Sequence, residues 1–190
     1  MLNKIFKKHI KDYKAKDFMV KHVITLPPVE NLWKAQSMMS RYRIKKLVVT
    51  QTEKHPLGIV TLKDIIKFLI ADKTDMDLDE IPISEAMTRN LITAYKNSTV
   101  TECAKTVATN NISSLVILED DNNNLAGIIT ATDFANFFSE NCIGFVFVKD
   151  YMSQSLFAIS LKEKVSTAAQ IMSEKKCLDL LLLTQIIKKS

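Results

Sequence analysis

Gly58-Ile59-Val60-Thr61-Leu62-Lys63-Asp64 and Gly127-Ile128-Ile129-Thr130-Ala131-Thr132-Asp133 are one pattern written twice, 69 positions apart. Each is a glycine, two β-branched apolar residues, a threonine, two variable positions and an aspartate. The chain has only three glycines, so two of them at the same place in such a pattern point to an internal repeat. Other landmarks recur at the same offset to within one residue. Met19 maps to Met87. Thr25 in Val23-Ile24-Thr25 maps to Thr93 in Leu91-Ile92-Thr93. Ile44-Lys45-Lys46-Leu47-Val48-Val49 maps to Ile112-Ser113-Ser114-Leu115-Val116-Ile117.

Pattern fixes the order of elements within the repeat. A short apolar stretch, Val23–Leu26, reads as a strand. Val29, Leu32, Trp33, Gln36 and Met39 predict a helix stripe, with Pro28 near its first turn. In the second copy Thr99-Val100-Thr101-Glu102 is a capping box for a helix over 100–110. Two β-rich runs follow in each copy, Leu47–Thr50 with Leu57–Val60 and Leu115–Glu119 with Leu125–Ile129. Asp120-Asp121-Asn122-Asn123-Asn124 supplies the turn chemistry of a hairpin. A second helix begins at Thr61 or Thr130. Each copy is therefore β-α-β-β-α, an α/β (α+β) unit, and the acidic stretch 72–80 with Pro82 links the two.

A third copy starts after residue 145. Asp150-Tyr151-Met152 matches Asp17-Phe18-Met19, and Ser160-Leu161-Lys162-Glu163 reads as another capping box. Val165, Ala168, Ala169 and Met172 match Val100, Cys103, Ala104 and Val107 at an offset of 65. The same register puts Cys177–Leu183 on the first hairpin strand. No third Gly-h-h-Thr-x-x-Asp appears in the sequence, where h is an apolar residue.

These residues resemble CBS domains, the units named after cystathionine β-synthase. The resemblance covers nearly the whole chain after residue 14 and is carried by the Gly-h-h-Thr-x-x-Asp endings inside two complete repeats. It implies tandem repeats at 15–72 and 83–141 packed as a pseudo-two-fold pair, a linker at 73–82, an incomplete repeat at 146–190 and a basic N-terminal helix over 1–14. It also implies that the clefts between paired repeats bind an adenosine-containing ligand, with AMP, ADP or ATP ahead of S-adenosylmethionine. An incomplete third copy departs from the family's even number and implies a four-unit protein cut short.

The candidate site follows from the same residues. A helix N-terminus offers unpaired N–H groups and the positive end of a dipole, which suit a phosphate. The hydroxyl of Thr61 or Thr130 can add a hydrogen bond to it. Asp64 or Asp133, one turn in, is acceptor-only and suits a ribose diol. The same Thr and Asp also make a plain helix N-cap, which needs no ligand. Arg41, Arg43, Lys45 and Lys46 place four cations at a helix-to-strand junction, either as a solvated loop or with Arg43, Lys45 and Lys46 beside phosphates. The second copy has Asn111, Ser113 and Ser114 there, so the two clefts are expected to differ. Ile24, Ile44, Ile92 and Ile112, beside Thr25 and Thr93, are candidate walls for an adenine and equally good core residues.

Composition narrows the function class. Residues are 47% apolar and 25% charged, an ordinary globular balance. The net charge of +5 comes entirely from residues 1–16, with six lysines and one aspartate; the remainder is neutral and makes no phosphate-backbone trap. Leu2, Ile5, Phe6, His9, Ile10 and Tyr13 give the N-terminal segment one apolar face, fit for docking on the body or a partner copy, with a membrane surface or nucleic acid as the alternative. No apolar run spans a bilayer and no signal-peptide core is visible, so a cytoplasmic location is expected. Cys103, Cys142 and Cys177 show no metal-ligand or paired spacing and are expected as small core residues. No nucleophile–base pair, metal set or Gly-rich phosphate loop is present, which disfavours an enzyme. The expectation is a regulatory module, a homodimer, with no required cofactor and an unidentified regulated partner; the alternative is a ligand-free dimerisation scaffold.

Overall fold

The computed structural model describes residues 12–52, 54–71, 76–141, 147–150, 152, 156–175 and 181–183. It comprises two compact units, Met1–Gly144 and Phe145–Ser190. Residues 1–11 of the expected N-terminal helix, with Cys142 and Cys177, lie outside the described residues.

The first unit contains both complete repeats. Repeat 1 runs β1 (Thr25–Leu26), α1 (Leu32–Tyr42), β2 (Lys46–Thr50), β3 (Pro56–Thr61), α2 (Leu62–Ala71). Residues Ile83–Ala86 form a short α3. Repeat 2 runs β4 (Thr93–Tyr95), α4 (Val100–Asn110), β5 (Ser114–Leu118), β6 (Leu125–Thr130), α5 (Ala131–Asn141). Each sheet has the central strand paired parallel to the first and antiparallel to the third, in order β1-β2-β3 and β4-β5-β6. The expected β-α-β-β-α order is thus present twice.

Local chemistry explains the boundaries. Thr99 accepts from the N–H of Glu102, whose carboxylate accepts in return from the N–H of Thr99, so the expected capping box starts α4. Helix α1 starts later than the Val29–Pro28 pattern implies. Asn31 caps it by accepting from Lys34 N–H, Val29 is 82% exposed, and the buried stripe is Leu32, Ala35 and Met39. Trp33 faces solvent. In the β5–β6 turn Asn123 takes the left-handed conformation at φ 55°, and Asn122 accepts from Asn124 N–H, as Asx turns do.

The repeats are interlocked by the segments that precede them. Tyr13 and Ala15 bond the start of α4, with Val100 N–H to Tyr13 O at 3.0 Å and Ala15 N–H to Ser98 O at 2.8 Å. Ile81 and Ile83 do the same for α1, with Leu32 N–H to Ile81 O at 2.9 Å and Ile83 N–H to Glu30 O at 2.7 Å. Further along, Val20 pairs with Ile128 on β6, and Thr88 pairs with Ile59 on β3. The outer edges of β3 and β6 are therefore each met by the leader of the opposite repeat, which removes a site for unwanted pairing there. The two glycines make this approach possible. A Cβ on Gly127 would lie 2.7 Å from Met19 Sδ and 2.8 Å from Val20 O; one on Gly58 would lie 3.0 Å from Met87 Sδ and 2.8 Å from Thr88 O.

Apolar clusters result. Leu32, Met39, Leu47, Val49, Val60, Ile81, Ile83 and Met87 form the core of repeat 1. Ala15, Cys103, Leu115, Ile117 and Ile129 form that of repeat 2, with Phe18 and Met19 packed on it. Val48 and Val116, on the opposite faces of their strands, meet with Leu118 between the sheets. Cys103 is a core residue as expected, and burial foremost, with Glu102 adding to it, pushes its thiol up to about 11. No helix among the described residues is long and apolar enough to cross a membrane.

The second unit holds a 3₁₀ turn, Val148–Asp150, then β7 (Ala158–Ser160), α6 (Val165–Lys175) and β8 (Leu181–Leu183), with β7 and β8 parallel. This is the same β-α-β order with which repeats 1 and 2 open, and its leading turn matches the 3₁₀ turn Ala15–Asp17. Ser160 does not cap α6. The helix begins five residues later, and Ser160 instead accepts from Lys162 and Glu163 N–H in a turn.

Candidate functional site

Strands β3 and β6 run into α2 and α5 without a loop, so Thr61 and Thr130 end a strand and cap a helix at once. Asp64 Oδ2 accepts from Thr61 N–H at 3.0 Å and from its hydroxyl at 2.6 Å, and Thr61 Oγ1 accepts from Asp64 N–H at 3.2 Å. Asp133 Oδ2 accepts from Thr130 N–H and hydroxyl at 2.7 and 2.6 Å. Both aspartates are thus caps, which stabilises the first helical turn.

Register brings the basic pair to the same level. Lys46 lies opposite Thr61 on β2–β3, and Ser114 lies opposite Thr130 on β5–β6. Lys46 Nζ crosses to repeat 2 and donates to Ser113 Oγ at 3.0 Å and Ser113 O at 3.2 Å. Burial foremost, and then the neighbouring Lys45 charge, lowers the Lys46 pKa below the ordinary lysine value, while Asp133 acts in the opposite sense. Lys46, Ser113 and Asp133 therefore form one electrostatic group spanning both repeats, with Thr130 bonded to it through Asp133. Lys45 is exposed.

The other expected positions divide. Arg43 is exposed and is the C-cap of α1, left-handed at φ 53°, with its N–H bonded to Met39 O and Ser40 O. Asn111 repeats that conformation at φ 50° after α4. The junction is thus set by backbone geometry in both copies, and the cations decorate only the first. Thr25 and Thr93 sit on β1 and β4, paired with Val48 and Val116. Ile24 and Ile44 pack against the repeat 1 core, and Ile92 and Ile112 against that of repeat 2.

Hollows open on the paired repeats among the described residues. One, of about 550 Å³, includes Thr93 with His55, Leu57, Arg89, Leu91 and Asn123. Another, of about 380 Å³, includes Asp133 with Tyr13, Asp17, Phe18, Asn136 and Glu140. The contributions of Tyr13, Asp17 and Phe18, and of Arg89, escape a reading of the repeat motifs alone, since both come from leaders that cross to the other repeat. The Met–Gly offsets were the available signal. Among the described residues no cluster of His, Cys, Asp and Glu could hold a metal ion.

The family model described as CBS domain matches residues 15–71 and 83–140. The chain is 32% identical over 120 residues to inosine-5'-monophosphate dehydrogenase of Methanocaldococcus jannaschii, covering 63% of this chain and 22% of that protein. It spans less than a quarter of the length of the first curated relatives it matches. Among solved structures it is similar to the CBS domain pair of protein MJ0100 in complex with 5'-methylthioadenosine and S-adenosyl-L-methionine, at 28% identity and a TM-score of 0.58, covering 67% of this chain and 96% of that one. Protein MJ1225 from Methanocaldococcus jannaschii shares the fold over 90% of this chain and 66% of its own, at 22% identity and a TM-score of 0.78.

Proposed function

The chain belongs to the CBS domain family, and from that premise we propose that its paired repeats bind an adenosine-containing ligand and act as a regulatory module rather than a catalyst. The observation that carries the reading is the convergence of Lys46, Ser113, Asp133 and Thr130 at the junction of the two repeats. The ligands named for the MJ0100 pair support an adenosine class. AMP, ADP or ATP is the preferred ligand, since a cation pair rewards phosphates, and S-adenosylmethionine ranks behind it. Asp64 and Asp133 would accept from a ribose diol through Oδ1, which has no hydrogen-bond partner among the described residues. Thr61 and Thr130 would donate to a phosphate by releasing the hydroxyl bond each makes to its aspartate. Ligand entering this junction would displace the Lys46–Ser113 contact and shift one repeat against the other, which is the signal passed on. The setting is cytoplasmic and the regulated partner is another protein.

A second reading, a ligand-free scaffold, is favoured by one observation. At rest Lys46 is already bonded and both aspartates already cap their helices, so the junction is satisfied without a ligand. Mass analysis of a denatured extract of the purified protein separates the two. An adenine nucleotide released in proportion to protein is the expected result; purified protein that releases none, and takes none up on incubation, supports the scaffold.

A further inference from the structure

We propose that Lys46 is a specificity residue for the cleft of the opposite repeat. It makes the Asp133 cleft select a phosphate-bearing adenosine ligand over adenosine itself, while the Asp64 cleft takes the two about equally. The proposal rests on the reading of the paired repeats as an adenosine-binding module, and it divides the ligand class between the two clefts.

In sequence Lys45 and Lys46 belong to repeat 1, with Thr61 and Asp64. The fold hands one of them to repeat 2. Lys46 lies opposite Thr61 on β2–β3, but its side chain runs across the junction. Its Nζ donates to Ser113 Oγ at 3.0 Å and to Ser113 O at 3.2 Å. The same carbonyl accepts from Ala131 N–H at 3.3 Å, and Ala131 is the first residue of α5. The ammonium therefore stands where α5 begins, beside Thr130 and Asp133. Burial foremost, and then Lys45, lower its pKa, and Asp133 is the carboxylate that opposes them.

The arrangement is not reciprocated. Ser114 lies opposite Thr130 as Lys46 lies opposite Thr61, so Ser114 is where a second crossing lysine would start, and a serine hydroxyl is too short to cross. Lys45 holds the place of Ser113: its carbonyl accepts from Leu62 N–H at 3.2 Å at the start of α2. The Lys45 side chain is exposed, so solvent screens its charge.

The position of Lys46 has a chemical consequence. An ammonium at a helix N-terminus sits against the positive end of the dipole. A phosphate set between them is attracted by both, and the flexible lysine can turn from Ser113 to meet it. At the Asp64 cleft the corresponding side chain is a neutral hydroxyl, which gains little from the double charge of a phosphate.

Calorimetric titrations of AMP and of adenosine into chains with one intact cleft test this. Asp64→Ala leaves the Asp133 cleft, which should bind AMP at least about tenfold more tightly than adenosine. Asp133→Ala leaves the Asp64 cleft, where the two affinities should agree within about threefold. Adding Lys46→Ser should bring the first ratio down to the second and leave the second unchanged. Adding Lys45→Ser should move neither by more than about threefold. Circular dichroism checks each chain, and Asp64→Asn or Asp133→Asn, which keep the shape of the side chain, replace an alanine variant that does not fold. An AMP preference that stays with the Asp133→Ala chain, that survives Lys46→Ser, or that Lys46→Ser lowers equally in both chains would overturn the assignment and leave the adenosine reading intact. A wild type that binds neither AMP nor adenosine would overturn that reading and this proposal with it.

Discussion

Thr61 with Asp64 and Thr130 with Asp133 each perform the capping role that their sequence spacing implies, and the same groups are what a nucleotide would use. Capping geometry and ligand geometry overlap because both exploit the start of a helix. What distinguishes the two copies is the cation pair. Lys45 and Lys46 stand in repeat 1 where Ser113 and Ser114 stand in repeat 2. Replacing Lys45 and Lys46 with Ser should therefore weaken ATP binding by about 1–3 kcal/mol, the scale of a hydrogen bond to a charged group, and weaken adenosine binding much less. Paired calorimetric titrations check this; equal losses for both ligands would point to general disruption. At this scale the motif residues were legible in sequence, but the Lys46–Ser113 bond was not. It joins residues 67 positions apart, and no local pattern encodes which repeat a flexible lysine reaches. The left-handed turn at Arg43 was equally hidden, because arginine gives no such signal, whereas Asn111 at the equivalent place would have.

Among elements, the exchange of leaders is what makes one body of two repeats. Gly127 admits Met19 and the Val20 carbonyl, and Gly58 admits Met87 and the Thr88 carbonyl. Gly127→Ala should destabilise the protein by about 1–3 kcal/mol, the usual cost of overpacking. Met19→Ala should not restore it fully, because the Val20 carbonyl is backbone and is held by its pairing with Ile128. Urea denaturation measures both; a Gly127→Ala chain within about 0.5 kcal/mol of wild type would show that the leader is not fixed there. Strand and helix order was readable because β-branched runs, the Thr99 box and the Asn-rich turn are local signals. Helix α1 starts later than the pattern around Pro28 implies because Val29 and Trp33 fit the period yet lie on the exposed side, and the cap is Asn31. Ser160 departs from the capping expectation because a Ser-x-x-Glu spacing also fits a turn before the helix.

For the whole molecule, two compact units imply separable behaviour. Deleting residues 146–190 should leave the paired repeats folded, with a cooperative melt and unchanged nucleotide affinity, since both motif sets lie within Met1–Gly144. The same deletion should change the oligomeric state or improve solubility. Circular dichroism and light scattering on the shortened chain check both outcomes, and an unfolded product would mean that the third unit belongs to the core. The repeat is legible at this scale from two glycines and a handful of offsets. The pseudo-two-fold contact of Val48 with Val116 was only implied by the family resemblance, because a valine inside a strand looks the same in sequence on either face.

The central claim is that the junction of the paired repeats is a nucleotide site. Calorimetric titration of AMP into the wild type, Asp64→Ala, Asp133→Ala and the double variant tests it most directly. Each single variant should lose about 1–3 kcal/mol of binding free energy at its own cleft, the double variant should lose binding at both, and all should remain folded. A wild type that gives no binding heat with AMP, ADP or ATP, or a double variant that binds as the wild type does, would contradict it.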